Sequence, residues 1–360
     1  KTEAERIRGA VREGDTVARL GSDEFGVILI DLAKKEDIPK VLSKILSEVE
    51  KPMHIGGEEI RLTLSIGVSI CPDDGIEAED LIKKAEIALV HAKEDRSNSY
   101  QFFKEEMNTQ ITEIVLMEKH LMKALDRKEY VLHFQPYFDL KNLKPQGMEA
   151  LLRWNSEDLG FVPPVKFIPV LEDTGLIREV GEWILRKSCE VAERWGKFVS
   201  VNVSPVQFKD RDFPDKVERI IEETGISGGC LTLEITETTI MEDVDFTKRS
   251  LKKLKELGVK VAIDDFGTGY SSLAYLKLLP VDFLKIDVSF VIDIDRDPED
   301  RAIVNAIIQL AKNLGLITIA EGIETEKQLN ILRDMGCDMG QGYYLARPMP
   351  EEELKEFLEI

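Results

Sequence analysis

The sequence predicts an α/β protein whose larger part is a (β/α)8, TIM-like barrel, and three observations carry that prediction. From about Glu149 to Gln341, short β-branched apolar runs (GMEALLRW, FVSVNVS, LTLEITE, VKVAIDDFG, FLKIDVSF, ITIAEGIET) each turn polar where a strand would give way to a loop. Helical stretches such as FTKRSLKKLKELG and EDRAIVNAIIQLAKNLG alternate with them, and strand–helix–strand at this spacing gives parallel βαβ units. Nearly every run also ends in a side chain able to do chemistry: Glu149, Asn202, Glu234, the pair Asp264 and Asp265, Lys285 and Glu321. A doubly wound open sheet alternates in the same way, but it offers one crevice at a switch point, whereas a barrel brings all strand ends to one rim.

Residues 1–103 predict a smaller α+β lobe with an antiparallel-containing central sheet. DTVARL and FGVILI read as two strands joined through a tight turn over Gly21, Ser22, Asp23 and Glu24 to Phe25, which is a β-hairpin pattern. Residues 104–129 predict a connecting amphipathic helix, with Met107, Ile111, Ile114, Leu121 and Leu125 near one stripe that is expected to pack on the barrel. The barrel domain is assigned to 112–360, overlapping that helix.

Parity within a strand separates roles, because successive side chains point to opposite faces. In LTLEITE, Glu234 shares a face with Thr232 and Thr236, so Glu237 needs a different task, and it is placed to accept hydrogen bonds from the backbone of DDFGTGYSS. Lys285 and Asp287 share a face, which suggests a lysine steadied by that carboxylate. Any one strand-end Asp or Glu is ordinarily a helix cap or a solvated loop residue. Five converging carboxylates repel one another and need cations, and two divalent ions with one lysine balance them. Oxygen donors select Mg²⁺ or Mn²⁺, and the four histidines (His54, His91, His120, His133) are too scattered for a zinc cage. Two such ions suit in-line attack of water on a phosphodiester.

Composition bounds the rest. With 360 residues and 43% hydrophobic content the chain can bury two cores. The net charge of −20 argues against long nucleic acid, though not against a small dianion held through metals. Cys71, Cys189, Cys230 and Cys337 form no C-x-x-C pair and no apolar run reaches membrane-spanning length, so reduced thiols and a cytoplasmic location are expected. The chain opens without methionine, inside a domain, and is expected to be a fragment whose upstream sensor or membrane segment is not seen.

From about Thr112 onward the chain resembles the EAL domain, the family of cyclic di-GMP phosphodiesterases, with the naming tripeptide as Glu149-Ala150-Leu151. The resemblance takes in FQPYFDL at Gln135, VNVS at Asn202, EITE from Glu234, DDFGTGYSS from Asp264, LKID around Lys285, AEGIET from Glu321 and GQGYYLARP around Gln341, in order and spacing. It implies hydrolysis of cyclic di-GMP to linear pGpG with two Mg²⁺ or Mn²⁺ ions. Glu149, Asn202, Glu234 and Asp264 then hold a first ion, and Asp264 bridges to a second held with Asp265 and Glu321. The ions activate a water that Lys285 orients, deprotonates or assists by offsetting charge. Gln135, Leu152, Arg153 and Gln341, with Asn202 and Lys285, contact the dinucleotide, Arg153 through a donor fork that matches phosphate. Such domains often pair, and Ser271 to Leu279 is placed either to form a homodimer contact or to fill helix core.

The first lobe resembles the GGDEF domain of diguanylate cyclases, with Gly21, Ser22, Asp23, Glu24 and Phe25 as its signature and Ser22 at the second glycine. LSIGVSI around Ser65–Gly67 and DLIKKAEIALVHAK ending at Lys93 extend the match. The chain begins after the strand that would carry the partner aspartate, and Ser97 stands where a phosphate-binding arginine is usual, so no cyclic di-GMP synthesis is expected. Arg12 and Asp15 form the R-x-x-D of an inhibitory product site, which implies a truncated, degenerate and regulatory lobe that binds cyclic di-GMP there or GTP in the remnant pocket. Two other readings are carried: a non-catalytic cyclic di-GMP receptor acting through a partner protein, and a metal-dependent aldolase or isomerase, which leaves the ordered motif series unexplained.

Overall fold

The computed structural model of the chain describes residues 2–32, 34–55, 58–95, 98–268 and 276–358, and divides into two units, Lys1–Leu116 and Met117–Ile360. In the first unit, β1 (Thr16–Arg19) and β2 (Phe25–Ile28) form the expected antiparallel hairpin, with Arg19 opposite Phe25. β3 (Met53–Ile55) pairs antiparallel with β4 (Glu58–Ile60), and β5 (Ile66–Val68) pairs parallel with β6 (Tyr100–Phe102). Antiparallel pairing is therefore present, but the described strands form separate two-stranded pairs and not one central sheet. Helices Thr2–Ala10 and Ile38–Glu50 pack Ile7, Ala10, Ile45 and Val49 against Val17, Phe25 and Val27 of the hairpin. Helix Ala78–Asp95 crosses β5 so closely that a Cβ at Gly67 would stand 2.0 Å from the Ala85 carbonyl oxygen.

The connecting helix forms over Glu105–Ala124, yet its stripe is not buried as one face. Met107 packs with Ile87, Ala88 and Phe103 of the first unit, whereas Met117, Leu121 and Ala124 join the core of the second. Ile114 is exposed between them, Leu125 is partly buried against the barrel core, and the Ile111 side chain lies outside the described residues. A periodicity count cannot see that one stripe is shared by two cores.

The second unit contains β7 (Tyr130–Asp139), β8 (Pro145–Ser156), β9 (Gly160–Val162), β10 (Phe198–Asn202), β11 (Leu231–Thr236), β12 (Lys260–Phe266), β13 (Phe283–Ile286), β14 (Ile317–Ala320) and β15 (Met339–Gly340). β8 pairs with β10 and β15 with β7, so eight strands close into a barrel, with β9 appended to β8. Helices Ile177–Trp195, Phe213–Thr224, Val244–Glu256, Pro298–Leu314 and Glu326–Met335 cross between strands, as the alternation predicted. The exception is β7, which runs antiparallel to both neighbours. Its link to β8 is a short turn in which Asp139 Oδ1 accepts from the Lys141 and Asn142 amides, too brief for the crossover that parallel strands require.

Two apolar layers hold this unit. Outward-facing Val199, Val201, Leu231, Leu233, Val261, Ile263, Leu284 and Ile286 pack under the helices. Inside the barrel, Tyr137, Ala262, Phe283, Ile319 and Met339 form a floor with Phe198, where Phe198 stacks on Tyr137 and Phe283 at centroid distances of 5.9 and 5.8 Å. Each buried aromatic ring stabilises by about 1.5–3 kcal/mol, so the floor is a packed layer and not a pore. Among the described residues, no helix is long and apolar enough to cross a membrane.

Candidate active site

The barrel floor fixes where the polar residues go. Tyr137, Ala262, Phe283, Ile319 and Met339 point inward, and side chains two positions away on the same strands share that face. Gln135, Asp264, Lys285, Glu321 and Gln341 follow from them, and Glu149, Asn202 and Glu234 join on β8, β10 and β11. Register places them side by side: Gln135 opposite Glu149, Asn202 opposite Glu234, and Thr236 opposite Asp264. Glu149 differs from expectation in standing mid-strand, because β8 runs on to Ser156 in a hairpin extension with β7 that leaves the barrel.

Lys285 is the centre of the site. Its ammonium is almost fully buried and stands 2.6 Å from Glu234, 2.7 Å from Glu321, 3.0 Å from Asp264 and 3.9 Å from Glu149. These carboxylates hold its pKa well above the ordinary value in spite of burial. Asp287 does not steady the lysine; its carboxylate caps helix Val288–Val291 by accepting from the Ser289 amide. The lysine therefore stands within the carboxylates proposed for the first ion, as an internal cation.

Amides hold Glu149. The Asn202 Nδ2 donates to one of its oxygens and the Gln341 Nε2 to the other, both at 2.7 Å. Gln341 also donates to Gln135 at 2.7 Å, and Gln135 donates to the Ala346 carbonyl at 2.9 Å. Gln341 thus holds the Glu149 carboxylate and is itself held by Gln135. Arg153 lies on the β8 extension, half-buried, donating to the Leu152 carbonyl at 2.9 Å, and burial lowers its pKa. Leu152 is buried in the apolar core, which leaves its backbone as the part able to meet a ligand.

The Asp264–Asp265 pair needs a break in alternation, because parity would send neighbours to opposite faces. A register shift between Ile263 and Phe266 supplies it: two residues of β12 oppose one of β13 there, a β-bulge. Asp265 takes φ 53°, in the left-handed region, and its amide donates to Asp264 Oδ1 at 3.0 Å. As a result Asp264, Asp265 and Glu321 each offer an oxygen within 4.8 Å of one another. The group presents hard oxygen donors, which fits a Mg²⁺ or Mn²⁺ ion. Glu237 is buried beside this bulge and accepts from the Gly267 amide at 3.4 Å, and its Oε1 has no partner among the described residues. Residues 269–275 lie outside the described residues; of the segment Ser271 to Leu279, Leu276 and Leu279 are buried in the core and Leu278 is exposed.

Sequence reading missed Tyr137, whose hydroxyl donates to Glu234 at 2.7 Å from the floor below. Its parity with Gln135 was the available signal. Burial, with Glu149 and Glu234 nearby, raises its pKa well above the ordinary value, so it remains a donor.

The excess negative charge has a pH consequence. Burial pushes Glu234 and Glu321 up to about 8, outweighing Lys285, and burial with Asp264 and Asp287 pushes Asp265 up to about 6. Carboxyls whose folded pKa lies above the unfolded one bind protons more tightly when folded, so their contribution is complete below the unfolded value, ordinarily 4.5 for glutamate, and is lost as pH rises through about 8. The thermal midpoint in chelator is expected to fall between about pH 5 and 8, and millimolar Mg²⁺ to restore it. A flat or rising midpoint across that window, followed by circular dichroism, would contradict this. Asp158, Asp210 and Asp295, whose partners lower their pKa, act below that range.

In the first unit, Gly21, Ser22, Asp23 and Glu24 form the exposed turn between β1 and β2, where the Ser22 hydroxyl donates to Asp23 at 2.8 Å, and Phe25 starts β2. Ser97 lies outside the described residues. Asp15 is buried and its carboxylate accepts from the Arg12 amide at 2.9 Å and the Ile30 amide at 3.2 Å. Arg12 and Asp15 line a cavity of about 230 Å³ with Lys40 and Lys44.

Residues 118–348 match the EAL domain family and residues 1–99 the family described as diguanylate cyclase, GGDEF domain. The chain is 41% identical over 357 residues to the bifunctional diguanylate cyclase/cyclic di-GMP phosphodiesterase MucR of Pseudomonas aeruginosa, covering 98% of this chain and 52% of that one. It is 32% identical to the cyclic di-GMP phosphodiesterase PdeR of Escherichia coli, covering 96% and 52%. It thus spans about half the length of these curated relatives. A solved structure titled PaMucR phosphodiesterase, c-di-GMP complex, aligns with a TM-score of 0.65 at 42% identity, covering 66% of this chain and 99% of that one. With the motif-bearing residues gathered in one barrel mouth and the family match running through them, the chain belongs to the EAL domain family and carries a GGDEF domain ahead of the barrel.

Proposed function

We propose that this chain hydrolyses cyclic di-GMP to linear pGpG in bacterial second-messenger signalling, using two Mg²⁺ or Mn²⁺ ions in the barrel mouth. The observation that carries the reading is the gathering of Glu149, Glu234, Asp264 and Glu321 within 3.9 Å of one buried lysine. Glu149, Asn202, Glu234 and Asp264 would hold the first ion, and Asp264, Asp265 and Glu321 the second. When bound, the ions supply Lewis acidity toward the phosphodiester and lower the pKa of the attacking water. The charges then balance, five carboxylates and one lysine against two divalent ions.

The chain's own residues do the remaining work. Lys285 Nζ orients the nucleophile and offsets charge that develops on phosphate oxygens. Arg153 offers its guanidinium to a phosphate, while Gln341 holds Glu149, Gln135 holds Gln341, and both glutamines border the dinucleotide. Glu237 anchors the Asp265–Gly267 turn. The relatives are named for cyclic di-GMP phosphodiesterase activity, and the aligned structure for a complex with that nucleotide, which supports the same substrate here. The first unit is regulatory in this reading, with the basic cavity beside Arg12 and Asp15 taking cyclic di-GMP or GTP. Ser22 occupies Asp23 in the signature turn, which favours no cyclase activity. The barrel is proposed to act as a homodimer in the cytoplasm.

The chain incubated with cyclic di-GMP and Mg²⁺ or Mn²⁺ is expected to give pGpG by chromatography, and Glu149→Ala none above background. Binding without turnover in both ions would replace this reading with the receptor one, in which the barrel signals to a partner protein.

A further inference from the structure

Tyr137 stands on the inward face of β7, fully buried in the aromatic floor and stacked on Phe198 at 5.9 Å. Its hydroxyl donates to Glu234 Oε1 at 2.7 Å, while Glu234 Oε2 accepts from Lys285 at 2.6 Å. Glu234 is itself fully enclosed, 1% exposed, so water cannot replace either donor. With Oε1 tied from beneath, the carboxylate cannot turn about its terminal bond without breaking a buried hydrogen bond. Oε2 is thereby aimed at the centre of the site, where Glu149 and Asp264 also converge on Lys285.

We propose that Tyr137 is a positioning residue for the first divalent ion, its O–H fixing the Glu234 carboxylate so that the remaining oxygen is presented to the ion. This rests on the metal-dependent hydrolase reading of the barrel. Partners that orient a ligating side chain in this way set ion affinity, and their loss weakens binding by about 10–100-fold. A ring that merely filled the floor would do so without its hydroxyl.

Tyr137→Phe keeps the ring, its volume and its stack, and removes the donor. Titration of the 360-residue chain with Mn²⁺ by calorimetry is expected to show the variant binding its tighter ion at least about tenfold more weakly. At saturating Mn²⁺, kcat is expected to recover, with KM for cyclic di-GMP unchanged. Phe198→Leu disturbs the same floor and spares the hydroxyl, so it is expected to lower the thermal midpoint and leave Mn²⁺ affinity unaltered. Wild-type Mn²⁺ affinity in Tyr137→Phe, or an equal loss in Phe198→Leu, overturns the proposal while leaving the hydrolase reading intact. A wild-type chain that neither binds Mn²⁺ nor makes pGpG removes both.

Discussion

Lys285→Met is expected to cost about 10²–10⁴-fold in kcat and to make the folded barrel depend on divalent ions. The lysine is 1% exposed and is the ammonium among Glu149, Glu234, Asp264 and Glu321, all within 3.9 Å. Removing one partner from a buried ionic group leaves the others uncompensated, at about 3–5 kcal/mol. Protonation relieves part of this at low pH, where the raised pKa values of Glu234 and Glu321 already favour the neutral acids. The loss is therefore greatest near pH 8 in chelator and is reversed by Mg²⁺, which supplies the missing charge. Thermal midpoints at pH 5 and pH 8, with and without Mg²⁺, read all four states. A variant as stable as wild type in chelator at pH 8 would show that the lysine is not the counter-ion of the metal-free site.

Asp264→Ala is expected to reduce turnover by at least about 10³-fold, the scale on which one charge-stabilising group acts, and to lower the number of ions bound. Asp264 is the residue common to both proposed ion sets. It stands 3.0 Å from Lys285, belongs to the cluster with Asp265 and Glu321, and accepts the Asp265 amide that holds the bulge. Its removal therefore loosens Asp265 as well, whereas Asp264→Asn keeps an acceptor for that amide and separates charge from shape. Mn²⁺ stoichiometry by calorimetry and pGpG formation measure the two effects independently. Turnover within tenfold of wild type in Asp264→Ala, at unchanged stoichiometry, would rule out its bridging role.

The barrel was legible because strand alternation and helical spacing are local signals, and burial on both sides of a parallel strand enforces them. Their places at the ends of apolar runs assigned Glu149, Glu234 and Lys285 to one rim, and the structure places their side chains together. Local patterns failed where partners distant in sequence decide the outcome. Asp287 shares parity with Lys285, but a helix starting at Val288 claims its carboxylate. Asp265 faces the cluster because β12 bulges against β13, and register is a property of the pair of strands. The stripe on helix Glu105–Ala124 is divided between two cores that a single periodicity cannot separate.

By itself the sequence determined the alternation, the acidic residues at the ends of the apolar runs and their surplus of negative charge, since each follows from residue type and spacing along the chain. The tertiary structure alone decided that β7 runs antiparallel, that Lys285 is shared among four carboxylates, and that Tyr137 grips Glu234 from 97 residues away. Those features depend on closure of the barrel, which sets distances between side chains that no local pattern encodes.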